Sequence, residues 1–213
     1  MSDLNANEAI QLDTGLSAED LARADLYGLL ALLFYKAPDQ ALLDMIGSSS
    51  EVDSSSSAEL TLLEQVWNPL VDLAKSTPVK DWEDEYESNF IGVGKQEIFL
   101  YGSYYLAGFL HERPLVKLRN DLSNLGLESS ELVVETEDHI ACLCEVMRYL
   151  IAGEDLSICN LTSQKQFFND HIRPWAHQLF DAIESHPNIQ LYRQLSLLTR
   201  SFFEIEGQAF DMV

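Results

Sequence analysis

Apolar residues recur at three- and four-residue spacing through most of this chain, and alternating apolar-polar runs are scarce. Such spacing puts a continuous apolar stripe on one side of a helix, whereas a strand needs a period of two. The sequence therefore predicts an all-α fold, a single compact helical bundle of roughly ten helices. Its 213 residues with 46% hydrophobic content are enough for one fair-sized core or two small lobes sharing an interface.

Punctuation along the chain divides the pattern. "SAED" offers Ser17 as N-cap with acids in the first turn, and the helix it opens runs to about Tyr35 before Pro38 stops it, with Leu26, Leu29, Leu30, Leu33 and Phe34 inward. The preceding residues 1–16 read as a flexible segment, leaving 17–213 as the helical domain. The polar run 47–57, "GSSSEVDSSSS", predicts a loop. A helix over 58–75 follows, with Leu60, Leu63, Val66, Trp67 and Leu70 inward and a perturbation near Pro69. In the acidic stretch 79–89, Trp82, Tyr86 and the following Phe90 share a face. Residues 90–102, with glycines near both ends and no helical pattern, predict a long ordered loop of the kind that carries function. "SYYLAGFL" resumes helix, Pro114 opens the next one, and Gly126 ends it as the C′ residue before a hinge near 126–136. Thr136 is expected to cap a helix through Ala152, closed by Gly153, with Glu137 and Asp138 in its first turn. "SQKQ" at 163–166 matches a capping box, Pro174 splits the segment around it into two helices, and Asn188 is expected to cap the last one.

Charge narrows the partners. Thirteen Lys and Arg against 35 Asp and Glu give a formal charge of −22, which repels phosphate backbones and anionic membrane surfaces and attracts cationic peptides. Nucleic acid is thus an unexpected partner, and stable membrane insertion is unexpected too, because the longest apolar run, 26–35, is too short to span a bilayer. The N-terminus lacks a basic cluster followed by an apolar core, so no secretory signal is expected, and three cysteines in such a chain suggest reduced thiols in the cytoplasm.

The densest chemistry lies in "VETEDHIACLCEVM", residues 134–147. His139, Cys142 and Cys144 are good ligand types for a metal, and the same cluster would serve a thiol-dependent enzyme. Position 144, however, points away from 142 on a helix, and Asp138 and His139, being adjacent, do not face each other. A helix start with acids at its dipole is the plain alternative. "GVGK" at 92–95 is only a fragment of a phosphate loop.

In order and spacing these pieces resemble the TorD/DmsD family of cytoplasmic chaperones for redox enzymes exported through the twin-arginine pathway. Glu135, Asp138 and His139 fit three fixed positions of the family's E-P-x-D-H, with Thr136 in place of Pro. "YESNFIGVGKQEIFLYGSYYL" is similar to a family run in which Tyr86, Phe90, Ile91, Gly92, Gly94, Ser103, Tyr105 and Leu106 coincide, while Asn89 and Val93 depart from it and its Pro-Pro-Trp is lost, with Leu100 and Tyr101 in its place. "FFNDHIRPWAHQLF" and the final "YRQLSLLTRSFF" match the C-terminal pattern, so the resemblance covers about residues 80–205.

The resemblance implies a non-enzymatic chaperone with no cofactor and no bound metal. It would bind the twin-arginine signal peptide and the apo catalytic subunit of a molybdenum-containing oxidoreductase, as a monomer or a domain-swapped dimer, and assist cofactor insertion and proofreading before export. The expected peptide-binding residues are Glu135 and Asp138 near the arginine pair, His139 and Ser103 beside them, and Phe90, Tyr101 and Tyr105 as apolar walls.

Overall fold

The computed structural model describes residues 16–49, 62–92, 96–130 and 133–212. Among them the chain forms ten α-helices and no β-strand: α1 (Ala18–Tyr35), α2 (Gln40–Ser48), α3 (Leu62–Ser76), α4 (Val79–Tyr86), α5 (Gly102–Ala107), α6 (Arg113–Asn124), α7 (Ile140–Ala152), α8 (Leu161–Phe167), α9 (Ala176–Ser185) and α10 (Leu191–Asp211). The all-α expectation holds. The expected flexible segment 1–16 lies outside the described residues up to residue 15, as do Leu60, positions 50–57 of the polar run and 93–95 of "GVGK".

Ser17 caps α1 as its sequence predicts, its hydroxyl accepting from the Asp20 amide at 3.0 Å. α1 packs along α7, burying Tyr27, Leu30, Leu33 and Phe34 against Ile140, Leu143, Met147 and Leu150. α10 packs on α3 and α9 and closes the other side of the core. The shared face of Trp82, Tyr86 and Phe90 is buried as expected, all three rings meeting Tyr192 of α10 at centroid distances of 5.0 to 5.7 Å. The Tyr86 hydroxyl donates to the carbonyls of Phe34 and Tyr35, occupying acceptors that the end of α1 leaves free.

Two π turns adjust the register of aromatic side chains. They cover Glu87–Ile91 after α4 and Phe168–Ile172 after α8, each closed by an i+5 to i bond, Gly92 N to Glu87 O at 2.8 Å and Arg173 N to Phe168 O at 2.9 Å. The second, followed by Pro174, makes the expected break before α9.

Several helix ends differ from the expectation, and in each the cap that is used sets the boundary. α2 was not expected: Asp39 caps it by accepting from the Leu42 amide, and it runs through Gly47 and Ser48, the first residues of the polar run. α7 begins three residues later than a Thr136 cap would place it, because 136–139 form a turn and His139 takes the cap, its Nδ1 accepting from the Ala141 amide at 3.2 Å. α8 is capped by Asn160 rather than through a box at 163–166. α10 starts beyond Asn188, and its first amides are satisfied by α4: the Glu85 carboxylate accepts from Gln190 N at 3.0 Å and Tyr192 N at 2.8 Å. Gly126 closes α6 in the left-handed region, φ 70°, as expected of a C′ residue.

One buried ion pair ties the two ends of the chain. Arg23 of α1 presents Nε and Nη2 to the two oxygens of Glu206 in α10 at 2.7 and 2.8 Å, and Tyr27 Oη donates to the same carboxylate at 3.1 Å. Glu206 is 2% exposed. Arg23 also reaches Gln164, which in turn donates to Leu150 O, so α1, α7, α8 and α10 share one polar network.

Candidate functional site

The turn 136–139 lies antiparallel to residues 100–102 and fixes the geometry around it. Ile140 N donates to Leu100 O at 2.8 Å and Gly102 N to Asp138 O at 2.9 Å, making an isolated bridge between Tyr101 and His139. The bridge brings together two motifs separated by more than thirty positions in sequence. α5 starts at this seam because the Asp138 carboxylate accepts from the Ser103 amide at 2.8 Å, while its other oxygen accepts from the Thr136 hydroxyl at 2.7 Å. Asp138 thus caps α5, not its own helix. Gly102 is required at the seam, since a Cβ there would stand 2.8 Å from Trp175 Nε1.

Of the expected peptide-binding residues, Glu135, Asp138, His139, Tyr101 and Ser103 are brought together here. Glu135 is half-buried and accepts a short hydrogen bond from the Tyr101 hydroxyl. Burial, reinforced by that bond and the Glu135 charge, raises the Tyr101 phenol well above its usual range. Asp138 and His139 are buried, at 4% and 3% exposure. Burial lowers the His139 pKa to about 4 although the Glu135 and Asp138 charges pull it upward, so near neutral pH the ring is uncharged and acts as an acceptor through Nδ1. It sits edge-on to Tyr101 and Tyr35 at 5.0 and 6.4 Å. The Ser103 hydroxyl is buried and has no hydrogen-bond partner. Tyr105 is half-buried and stacks on Trp175 at 5.6 Å and 15°.

Phe90 departs from the expectation. At 3% exposure its ring belongs to the Tyr86 and Tyr192 cluster, so it supports the site from the core instead of forming an open wall.

The metal and thiol alternatives lose their geometry. Cys144 is fully buried among α1 and α7 side chains, and burial raises its thiol pKa and lifts that of Cys142 to about 12, the opposite of an activated nucleophile. Among the described residues the group of three or more His, Cys, Asp or Glu whose ligand atoms converge is Asp121, Asp170 and His171, not His139 with the cysteines. There Lys117 Nζ already stands 2.9 Å from Asp170 and 3.3 Å from Asp121, taking the cation's role.

Beside the seam runs a groove of about 350 Å³ between α1, the end of α6 and α7. Its floor is apolar, with Ala31, Leu32, Leu122, Ala141 and Val146, and Glu128, Glu137 and Glu145 stand along it. Sequence reasoning missed it. Glu137 and Glu145 are legible as acids eight positions apart, but only the packing of α1 on α7 places Leu32 opposite them.

No helix among the described residues is long and apolar enough to cross a membrane. The family model for the nitrate reductase delta subunit matches residues 57–181, more than half of the chain. Comparison with curated proteins gives no match. The matched span holds α3 through most of α9, including both segments of the seam, and it agrees with the resemblance that Glu135, Asp138 and His139 carry. The chain belongs to the nitrate reductase delta subunit family, whose members are chaperones for the maturation of molybdoenzymes.

Proposed function

We propose that this chaperone works in the cytoplasm by binding the twin-arginine signal peptide of an apo molybdenum oxidoreductase, holding the enzyme back from export until its cofactor is inserted. The observation that carries this reading is the seam that sets the half-buried Glu135 carboxylate against Tyr101, in a protein of charge −22. A leader that joins an arginine pair to an apolar segment needs a carboxylate beside apolar surface.

Glu135 is the acceptor in this reading, because its present partner is a single phenol that a guanidinium, with its fork of donors, displaces. Asp138 and His139 are positioning residues: one holds the first turn of α5, the other starts α7. Tyr101 and Tyr105 flank the arginine site, and the unpaired Ser103 hydroxyl is the remaining polar group of the seam.

The test is isothermal titration of the protein with twin-arginine leaders from the same organism's molybdenum enzymes, each beside its Lys-Lys variant. One leader should bind, and both the Lys-Lys change and Glu135→Gln should weaken it about tenfold or more, the worth of one charge-assisted contact. Equal binding of that leader to wild type and to Glu135→Lys at moderate salt would remove Glu135 from the arginine site.

A further inference from the structure

The groove between α1 and α7 is unusual for this molecule. Most apolar side chains of the two helices are spent on each other, yet Leu32 is 48% exposed and the neighbouring Val133 is 36% exposed, both along the groove. Its lining contains three glutamates and no lysine or arginine. The nearest cations stand outside and face in: Arg119 sets two nitrogens on Glu137 at 2.9 Å, and Arg148 contacts Glu145 at 2.8 Å. These internal pairs are exposed on the arginine side and are therefore weakly held, so a guanidinium from a ligand exchanges with them at little cost.

The groove is also continuous with the seam. Tyr35 lines it, accepts at its hydroxyl from Val134 N at 3.3 Å, and packs its ring on His139. Val133 and Glu137, which line the groove, flank Glu135 in sequence. A ligand held by Glu135 is thereby led past Tyr35 onto the apolar floor.

We propose that this groove seats the apolar segment of the twin-arginine leader, with Glu128, Glu137 and Glu145 holding basic residues at its edge; the proposal rests on the leader-binding reading above. Charge selects this occupant. A second copy of the chain would bring another −22 charges against the three glutamates, and an anionic lipid surface would meet the same repulsion. An apolar segment beside basic residues satisfies both floor and edge. The volume has room for a few anchoring side chains, not for a whole folded element.

The test uses the full chain and the leader that titrates best, with three variants. Leu32→Gln and Val146→Gln place a polar amide on the groove floor, and Leu62→Gln makes the same kind of change on α3, whose exposed Leu62 is 66% open and does not line the groove. Thermal unfolding of all three is measured first, to show that they remain folded. Leu32→Gln and Val146→Gln should each weaken the leader about tenfold or more, as expected for losing one buried aliphatic anchor, with Leu62→Gln unchanged. Glu128→Gln combined with Glu145→Gln should flatten the salt dependence of binding. Deuterium exchange of the wild-type complex should protect amides near Leu32 and Val146.

If the leader binds and depends on Glu135, while Leu32→Gln and Val146→Gln bind it like wild type and no protection appears at the groove, the groove assignment falls and the leader reading stands. If no leader binds the wild-type protein, both fall.

Discussion

Removing the Asp138 carboxylate isolates the contact on which the seam depends. Asp138→Ala deletes the acceptor of the Ser103 amide, at 2.8 Å in a residue with no exposure, and of the Thr136 hydroxyl at 2.7 Å. The half-buried Thr136 hydroxyl turns to water, but the Ser103 N–H has nowhere to go. A hydrogen bond to a charged acceptor contributes about 1.5 to 3 kcal/mol, and an N-cap about 0.5 to 2. Relief of the buried charge offsets part of this, which leaves a net loss of about 2 kcal/mol. For a chain of this size that is a fall in melting temperature of roughly 4 to 8 °C. Asp138→Asn, which keeps a neutral acceptor, should lose about half as much. Urea unfolding followed by far-UV circular dichroism gives the free energy, and exchange of the Ser103 amide reports the cap itself. An alanine variant within about 0.5 kcal/mol of wild type, with Ser103 protection unchanged, would refute the assignment of Asp138 as the cap of α5.

The other expected outcomes follow the same logic. Glu206→Leu should cost about 3 kcal/mol, the low end for a broken buried pair, because Arg23 loses its two-point partner and keeps Asp20 at 3.0 Å and Gln164 at 3.1 Å; the double variant Arg23→Met with Glu206→Leu should recover most of that in a double-mutant cycle. His139, whose pKa is lowered to about 4, should make stability depend on pH. Below its ordinary value near 6.5 the unfolded chain takes a proton that the folded one refuses until about 4, so this contribution is complete above pH 6.5 and lost as pH falls toward 4, by at most roughly 3 kcal/mol. His139→Asn keeps a capping acceptor and should flatten that part of the urea-midpoint profile. Glu85→Ala should cost about 1 to 2 kcal/mol and speed exchange at Gln190 and Tyr192 before other amides of α10. Gly102→Ala, set against Trp175 at 2.8 Å, should cost about 1 to 3 kcal/mol and shift tryptophan fluorescence.

What the sequence made legible was what neighbours in the chain decide. Ser17 caps the helix that begins beside it, Trp82, Tyr86 and Phe90 turn one face to the core, and Gly126 and Pro174 punctuate where their backbones require. The caps of α2 and α8, Asp39 and Asn160, were local signals overlooked, whereas two other failures are contacts between distant segments. Thr136 is a better intrinsic cap than His139, but pairing of 136–139 with 100–102 holds Thr136 in a turn, a tertiary contact that local preference does not contain. Asn188 lost to Glu85 for the same reason. The candidate site was half legible. Glu135, Asp138 and His139 were singled out by the resemblance and lie together at the seam, yet nothing in the sequence signals that Asp138 faces α5 or that Phe90 is interior. The groove needed Leu32 and Val146 on facing helices, which only the packed bundle supplies.

The pairing of Arg23 with Glu206 joins residues 183 positions apart. A ribosome adding about 5 to 20 residues per second takes roughly 10 to 40 s to cover that distance. During that interval α1 has been made but cannot complete its polar network, and the cap that Glu85 offers α10 likewise waits for its recipient. A contact of such long sequence separation cannot form until α10 itself has been made, so this network is the last part of the helical core to lock. A nascent chain of this chaperone therefore carries the apolar faces of α1 and α4 uncovered until the later helices that bury them have been made.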